Sequence, residues 1–344
     1  MPIVQKYRRP DANHPFGERR RFIKTALTLS AAPLISSLPG FAQAQTYPSS
    51  PIKIVVPFPP GGQADTLTRV IAAEMSATLG QAVIIDNRGG AGGAIGTLSV
   101  VNAPPDGYTI AYSSSGTVVV LPLTSSKLGY DPVTQLTPVG QMFEIPLMLV
   151  SRKGFSASGV KDLVAAAKAQ PGRITIGNTG VGALAHLVAE YVRTTLGVDL
   201  LHVPYRGDGP MQIALIGGEL DLGVVAIQTA APYLASGEMK AIAMLGAERA
   251  AAMPELVTLA ESGYPGFAAG TFGGLHAPAG TPNSIVARLS SAMADALAKP
   301  AVRDRILKSS SIPIGSKPEV YGQRLDEERK LWGGIITRLG VKLD

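Results

Sequence analysis

The stretch Ile52-Lys53-Ile54-Val55-Val56-Pro57-Phe58-Pro59-Pro60-Gly61-Gly62-Gln63-Ala64-Asp65 decides the fold. A short apolar strand leads into a proline- and glycine-rich turn, and a helical pattern begins near Asp65. The three prolines fix φ and remove backbone donors, while Gly61 and Gly62 let the chain turn tightly and approach a bound group. The donors that remain lie just ahead of a helix, whose N-terminus offers unpaired N–H groups and the positive end of the macrodipole. Such a junction can hold an anion such as a carboxylate, or it can be a tight turn that binds nothing.

The pattern recurs outward from this point. Leu67, Val70, Ile71, Met75 and Leu79 fall at helical spacing, and Gly80 stops the helix. Val83–Asn87 reads as a second strand, entering Arg88-Gly89-Gly90-Ala91-Gly92-Gly93 and a helix over Ala94–Asn102. A third strand, Tyr108–Tyr112, runs into the hydroxyl cluster Ser113-Ser114-Ser115-Gly116-Thr117, a place for ligand contacts or simply for caps. Leu147–Ser151 leads away as a strand. After a helix over Val160–Ala169 the unit returns, as strand Ile174–Ile176, turn Gly177-Asn178-Thr179-Gly180-Val181-Gly182 and helix Ala183–Leu196. Later segments are a turn at Val203-Pro204-Tyr205-Arg206-Gly207, strands over Leu220–Ile227 and Met239–Met244, and helices over Ser284–Ala298 and Pro318–Leu339. Alternation of this kind predicts an α/β protein built on mainly parallel sheets flanked by helices. Two strand–glycine turn–helix units facing one another would grip both ends of a small anion.

Composition narrows the function. With 344 residues, 46% of them hydrophobic, the chain can bury two cores. Its formal charge of +6 is concentrated at the start, where residues 1–44 carry seven Lys/Arg against Asp11 and Glu18, leaving 24 basic and 23 acidic residues beyond. A nucleic-acid partner is therefore not expected. Arg19-Arg20-Arg21-Phe22-Ile23-Lys24, the apolar Thr25–Ile35 and Ala42-Gln43-Ala44 have the layout of an export signal cleaved near Ala44, in twin-arginine form or as a Sec signal with a long basic region. The apolar run falls short of the roughly 20 residues that span a bilayer.

Catalytic chemistry finds no constellation. There is no cysteine, and His14, His186, His202 and His276 show no metal-ligand spacing. No G-x-S-x-G elbow and no Walker motif occur, and Ile95 stands where a dinucleotide fingerprint needs its third glycine. No catalytic residue, metal or cofactor is expected, and Trp332 reads as packing. An exported hydrolase or isomerase of small acids, or a ligand-presenting sensor subunit, remains the alternative to a binding protein.

Several motifs, in order along the chain, resemble the periplasmic solute receptors of the tripartite tricarboxylate transporters, the Bug-type group. They are Val56-Pro57-Phe58-Pro59-Pro60-Gly61-Gly62 with Asp65; Asn87–Gly93 with Ile95-Gly96; Ala103-Pro104-Pro105-Asp106-Gly107-Tyr108-Thr109; Tyr130-Asp131-Pro132; Val203–Gly207; and Ala277-Pro278-Ala279-Gly280-Thr281-Pro282. The resemblance implies a two-domain Venus-flytrap protein of the periplasm, a monomer that closes on a small organic acid and delivers it to a membrane permease. The expected division is 45–150 plus 267–344 for one domain and 151–266 for the other, with hinges near Val150 and Gly266.

It also implies the site. Phe58, Pro60, Gly61, Gly62 and Asp65 would hold one carboxylate, with Ser113, Ser114 and Ser115 on the same side. Asn178, Thr179 and Gly180, with Tyr205 and Arg206, would close from the second domain. The chain departs from the family pattern at Val118-Val119-Val120 and at Ala226-Ile227-Gln228. Both departures predict a more apolar cleft, suited to a mono- or dicarboxylate, possibly aromatic, rather than a tricarboxylate.

Overall fold

Ile52–Val56 form strand β1, with four of its five residues buried. In the computed structural model, which describes residues 47–340, β1 lies between β2 (Val83–Asn87) and β3 (Thr109–Ser113), parallel to both. The proposed export signal lies outside the described residues. Helix α1 (Gln63–Leu79) connects β1 to β2 and buries Leu67, Ile71, Ala72, Met75 and Leu79, the face its spacing predicts, with Val70 at the margin. Gly80 ends it in the left-handed conformation. Helix α2 (Ala94–Val101) connects β2 to β3. Beyond β3 come a π-helical turn over Gly116–Val120 and two single-turn helices, α3 (Leu121–Thr124) and α4 (Pro132–Gln135).

The element that organises the whole is β4, a 17-residue strand from Leu136 to Arg152. Its first part pairs antiparallel with β9 (Gly270–Pro278), which is antiparallel to β3 in turn. Its last part pairs antiparallel with β7 (Leu222–Ala226) and β8 (Met239–Met244). Strands β5 (Thr175–Asn178) and β6 (Leu201–Pro204) continue from β7 as a second parallel block. The first sheet is thus β2-β1-β3-β9-β4 and the second β4-β7-β5-β6, with β8 and the short β10 (Ile312–Pro313) also on β4. The parallel blocks are those the sequence predicts, and antiparallel β4 and β9 join them.

Helices α5 (Val160–Ala169), α6 (Leu184–Leu196), α7 (Asp208–Gly217) and α8 (Ile227–Ala235) flank the second sheet. Helices α9 (Asn283–Ala298), α10 (Pro300–Lys308) and α11 (Pro318–Leu339) follow β9, and α11 packs on β4 as well as on α6. One apolar core lies between α1, α9 and the first sheet. Another joins the π-helical turn and α11 to α5 and α6. Among the described residues no helix is long and apolar enough to cross a membrane.

Register fixes where the strand ends face. Ser113 at the end of β3 lies opposite Gly274, and Gly274 lies opposite Gln141 of β4. Six residues further along β4, Leu147 pairs with Ala226, the last residue of β7. Because β7 runs antiparallel to β4, its carboxyl end and those of β5 and β6 point back toward the first sheet. The two sets of strand-end turns therefore oppose one another across a stretch of β4 roughly 20 Å long at the usual rise per residue.

Candidate functional site

The turn after β1 is braced from beneath. Asp65, 3% exposed in the first turn of α1, accepts the Gly61 N–H at 2.9 Å through Oδ2. Its Oδ1 receives Asn87 Nδ2 at 3.0 Å and Arg69 at 2.9 Å. Asn87 Nδ2 also reaches the Phe58 carbonyl at 3.2 Å, and Arg69 donates to Asn87 Oδ1 at 2.8 Å. Burial alone would raise the Asp65 carboxyl, but hydrogen bonds from Arg69, Gly61 and Asn87 outweigh it and hold the group below its ordinary range. Asp65 thus shapes the loop with both of its oxygens engaged.

Above this brace the turn is open. Pro60, Gly61 and Gly62 are exposed, and no side chain caps α1, so its first-turn donors face outward at the positive end of a 17-residue helix. Gly61 has φ of 86°, a conformation that favours glycine. Phe58 is half-buried, with its ring edge-on to Tyr112 at 6.1 Å. Gln63 Nε2 ties the helix start to the Ser309 carbonyl (3.1 Å) and the Ser311 hydroxyl (2.8 Å). Neither Arg69 nor Gln63 is singled out by the sequence reading. The Arg69 contact was readable as a four-residue helical spacing to Asp65, whereas the Gln63 contact spans the chain and leaves no local trace.

The opposing turn follows β5. Asn178 is 1% exposed; its Oδ1 accepts the Gly180 N–H at 3.1 Å and its carbonyl accepts the Tyr205 N–H at 2.9 Å. Its Nδ2 is buried and has no partner. Thr179, Gly180 and Tyr205 are half-exposed and Arg206 is exposed, and all four follow the paired ends of β5 and β6 at the end of this sheet. Burial, with Glu219 nearby, raises the Tyr205 phenol. Helix α6 starts without a side-chain cap. His186 Nδ1 accepts the Gly182 N–H at 3.0 Å and so carries no proton there.

The serine run is divided. Ser113 Oγ lies 2.7 Å from His276 Nδ1 and 3.0 Å from the Tyr321 hydroxyl, in an interior network that faces α11. Burial, then Arg329, pushes His276 down to about 3, so it is neutral. Ser115 Oγ is fully buried beside the Glu328 carboxyl, close enough to lower its pKa but outside hydrogen-bond geometry. Ser114, 8% exposed, is held by its N–H to Thr117 Oγ1 at 3.0 Å.

The valine run corrects one expectation. Val118, Val119 and Val120 are at most 3% exposed and pack into the core shared with α6 and α11, so they offer no wall to a cleft. A helical turn after β3 rotates them inward, where a loop would have exposed them. Ala226 does sit at the crossing between the sheets, opposite Leu147 and only partly buried, and Val181 is 54% exposed at the tip of the opposing turn. Among the described residues no group of three His, Asp or Glu side chains is placed to hold a metal ion.

Comparison with known proteins identifies the family. Residues 67–341 match the model of the tripartite tricarboxylate transporter family receptor. Protein BugT of Bordetella pertussis is 33% identical over 301 residues, 87% of this chain and 92% of its own. Two solved structures from Rhodopseudomonas palustris are similar throughout. Rpa4515 with adipate has a TM-score of 0.73 and 32% identity over 86% of this chain and 99% of its own. MatC with bound malate has a TM-score of 0.68 and 34% identity over 84% and 100%. The chain belongs to the tripartite tricarboxylate transporter receptor family, the Bug-type periplasmic binding proteins, which bind solutes rather than transform them.

Proposed function

We propose that this receptor captures a small mono- or dicarboxylate between the two opposed sets of turns and presents it to the permease of a tripartite tricarboxylate-type transporter. The observation that carries the reading is Asn178 Nδ2, a buried donor without a partner at the end of β5. An orphaned donor of this kind costs free energy unless a ligand acceptor completes it. Uncapped α1, with Gly61 and Gly62 at its start, supplies donors for the other end of the molecule. Phe58, Val181 and Ala226, each at least partly exposed at these strand ends, would give the space between an apolar lining, suited to an aliphatic or aromatic body.

In this reading Pro60, Thr179, Gly180, Tyr205 and Arg206 line the site, Ser114 flanks it, and Asp65, Ser113 and Ser115 hold its frame. Residues 45–150 with 267–344 form one lobe and 151–266 the other. Closure turns on the two crossings between the lobes, near Val150 and near Gly266. Export through the leader and cleavage near Ala44 place the mature monomer in the periplasm.

The experiment is a thermal-shift screen of the purified mature chain against adipate, malate, citrate, benzoate and longer aliphatic acids. Each positive is then incubated with the protein and followed by NMR. A saturable rise in Tm with adipate or another mono- or dicarboxylate, and no new resonance, is the expected result. A preference for citrate would overturn the ligand class, and turnover of any acid would overturn the receptor role.

A further inference from the structure

A cavity of about 770 Å³ lies where α9, the start of β4 and the loop into α11 meet. Pro138, on its wall, precedes Leu147 by nine residues, so roughly 30 Å of β4 separates this cavity from the crossing between the sheets. None of the residues that carry the carboxylate reading lines it.

The floor is one side of α9, where Ala287, Ser290, Ser291 and Ala294 keep the space open with short side chains. Ser290 is 7% exposed, and its hydroxyl has no hydrogen-bond partner among the described residues. Other buried helical hydroxyls return to the carbonyl four residues back, as Thr68 does to Ala64 and Ser76 to Ala72. Ser290 makes no such bond, which leaves its Oγ to the cavity it lines. Thr137, on the β4 wall, brings a second hydroxyl without a partner among the described residues.

The remaining wall is the start of α11, a helix of 22 residues with no side-chain cap. Pro318 has no N–H, and the first bond back to the cap runs from the Tyr321 N–H to the Lys317 carbonyl. The N–H groups of Glu319 and Val320 are therefore left at the positive end of the macrodipole. Lys317 stands exposed beside them and forms no ion pair among the described residues. Glu319, also exposed, is the one opposing charge in the lining.

We propose that this cavity is a second ligand site, for a small phosphate monoester. Donors border it from three elements: helix N–H groups and Lys317 from α11, Ser290 from α9 and Thr137 from β4. A carboxylate offers two oxygens to such a set, whereas the three terminal oxygens of a phosphate can engage all three walls. The rest of the space lies against Pro138, Val286 and Ala287, which suits a short carbon body on the ester.

The test is calorimetric titration of the mature protein with glycerophosphate at fixed ionic strength, with glycerol as the control. Saturable binding of glycerophosphate and none of glycerol is the expected result. Ser290→Ala should weaken it roughly tenfold, about the worth of one hydrogen bond to a charged group. Glu319→Gln, which removes the opposing charge at an exposed position, should tighten it roughly threefold and tests the site even if the Ser290 variant fails to fold. Neither change should alter carboxylate affinity, and saturation with the best carboxylate should leave glycerophosphate binding intact. Co-sedimentation with vesicles of phosphatidic acid, and not of phosphatidylcholine, would put the phosphate on a lipid headgroup; binding of the free ester alone would make it a soluble solute. Absence of saturable binding, an equal response to glycerol, displacement by the carboxylate, an unchanged affinity in folded Ser290→Ala, or no tightening in Glu319→Gln would each overturn the site.

Discussion

Asn87 Nδ2 lies 3.0 Å from Asp65 Oδ1, joining the end of β2 to the first turn of α1 beneath the exposed glycine turn. The same nitrogen reaches the Phe58 carbonyl, so one amide fixes both where the helix starts and where the preceding turn leaves β1. Asn87→Ala removes both bonds and leaves a buried carboxylate short of one donor. The expected loss is about 2 kcal/mol of stability, measured by urea unfolding at neutral pH. A change under about 0.5 kcal/mol, the level of an ordinary surface substitution, would show that the brace is incidental.

Asp65 itself makes a pH prediction. Its carboxyl is held below the ordinary value of 3.8, because hydrogen bonds from Arg69, Gly61 and Asn87 outweigh the opposing effect of burial. A carboxyl depressed in the folded state contributes stability that is complete above 3.8 and fades as pH falls through that value to the folded pKa. Asp65→Asn should therefore be less stable than wild type at pH 7, with the difference narrowing near pH 3. Parallel curves for the two proteins across that range would contradict the assignment.

The brace also marks where the sequence stops being readable. The strand–turn–helix units around Ile52, Val83 and Thr175 were legible because period-3.6 spacing and glycine stops are local properties. The full length of β4 was not. Pro138, Gly140 and Pro146 interrupt its pattern, and the structure accommodates the first two at one irregularity of register and the third at the crossing between sheets. Helix α8 was missed because Pro232 lies inside it. Asn178 was picked out by its turn, yet its orphaned donor depends on burial by distant segments, and so does the inward rotation of Val118–Val120.

Gly62 separates binding from folding more cleanly than Gly61. At Gly61 any side chain meets an unfavourable φ of 86°, whereas Gly62 has φ of −71° and ψ of 170°. A Cβ at Gly62 would find its nearest neighbour, the Pro59 carbonyl, at 3.9 Å. Gly62→Val should therefore fold with a Tm within a few degrees of wild type while losing at least tenfold in affinity for its best carboxylate, because the branched side chain stands in front of the donors of α1. Undiminished affinity by calorimetry would remove the turn from the site.

Asn178 is tested by charge. Asn178→Asp keeps the acceptor for the Gly180 N–H but replaces the free Nδ2 donor with a carboxylate oxygen. A bound carboxylate then meets repulsion where a hydrogen bond is proposed, and affinity for adipate or malate, whichever binds the wild type, should fall at least a hundredfold. Asn178→Ser, which keeps a shorter donor, should lie between. Equal affinities for the three proteins would mean that the ligand does not reach the end of β5.

His186 couples this turn to pH. Its Nδ1 takes the Gly182 N–H, and burial followed by the neighbouring His202 lowers its pKa below 6.5. His202, whose ring is 5.1 Å away, pairs with Glu190, which also binds Arg193; these are the charges that face the pair. A histidine depressed in the folded state leaves stability complete above 6.5, and stability then falls as pH drops through 6.5 toward the folded pKa. Protonating Nδ1 also turns an acceptor into a donor opposite the Gly182 N–H, which releases the turn that carries Asn178. The receptor should accordingly lose both Tm and carboxylate affinity as pH falls below 6.5. His186→Gln, which offers an amide oxygen to Gly182 without a titrating proton, should flatten the affinity change, while His202→Gln should leave it in place. If the wild-type pH dependence survives in His186→Gln, the switch lies elsewhere, and the Gly182 contact is only a fixed element of the turn.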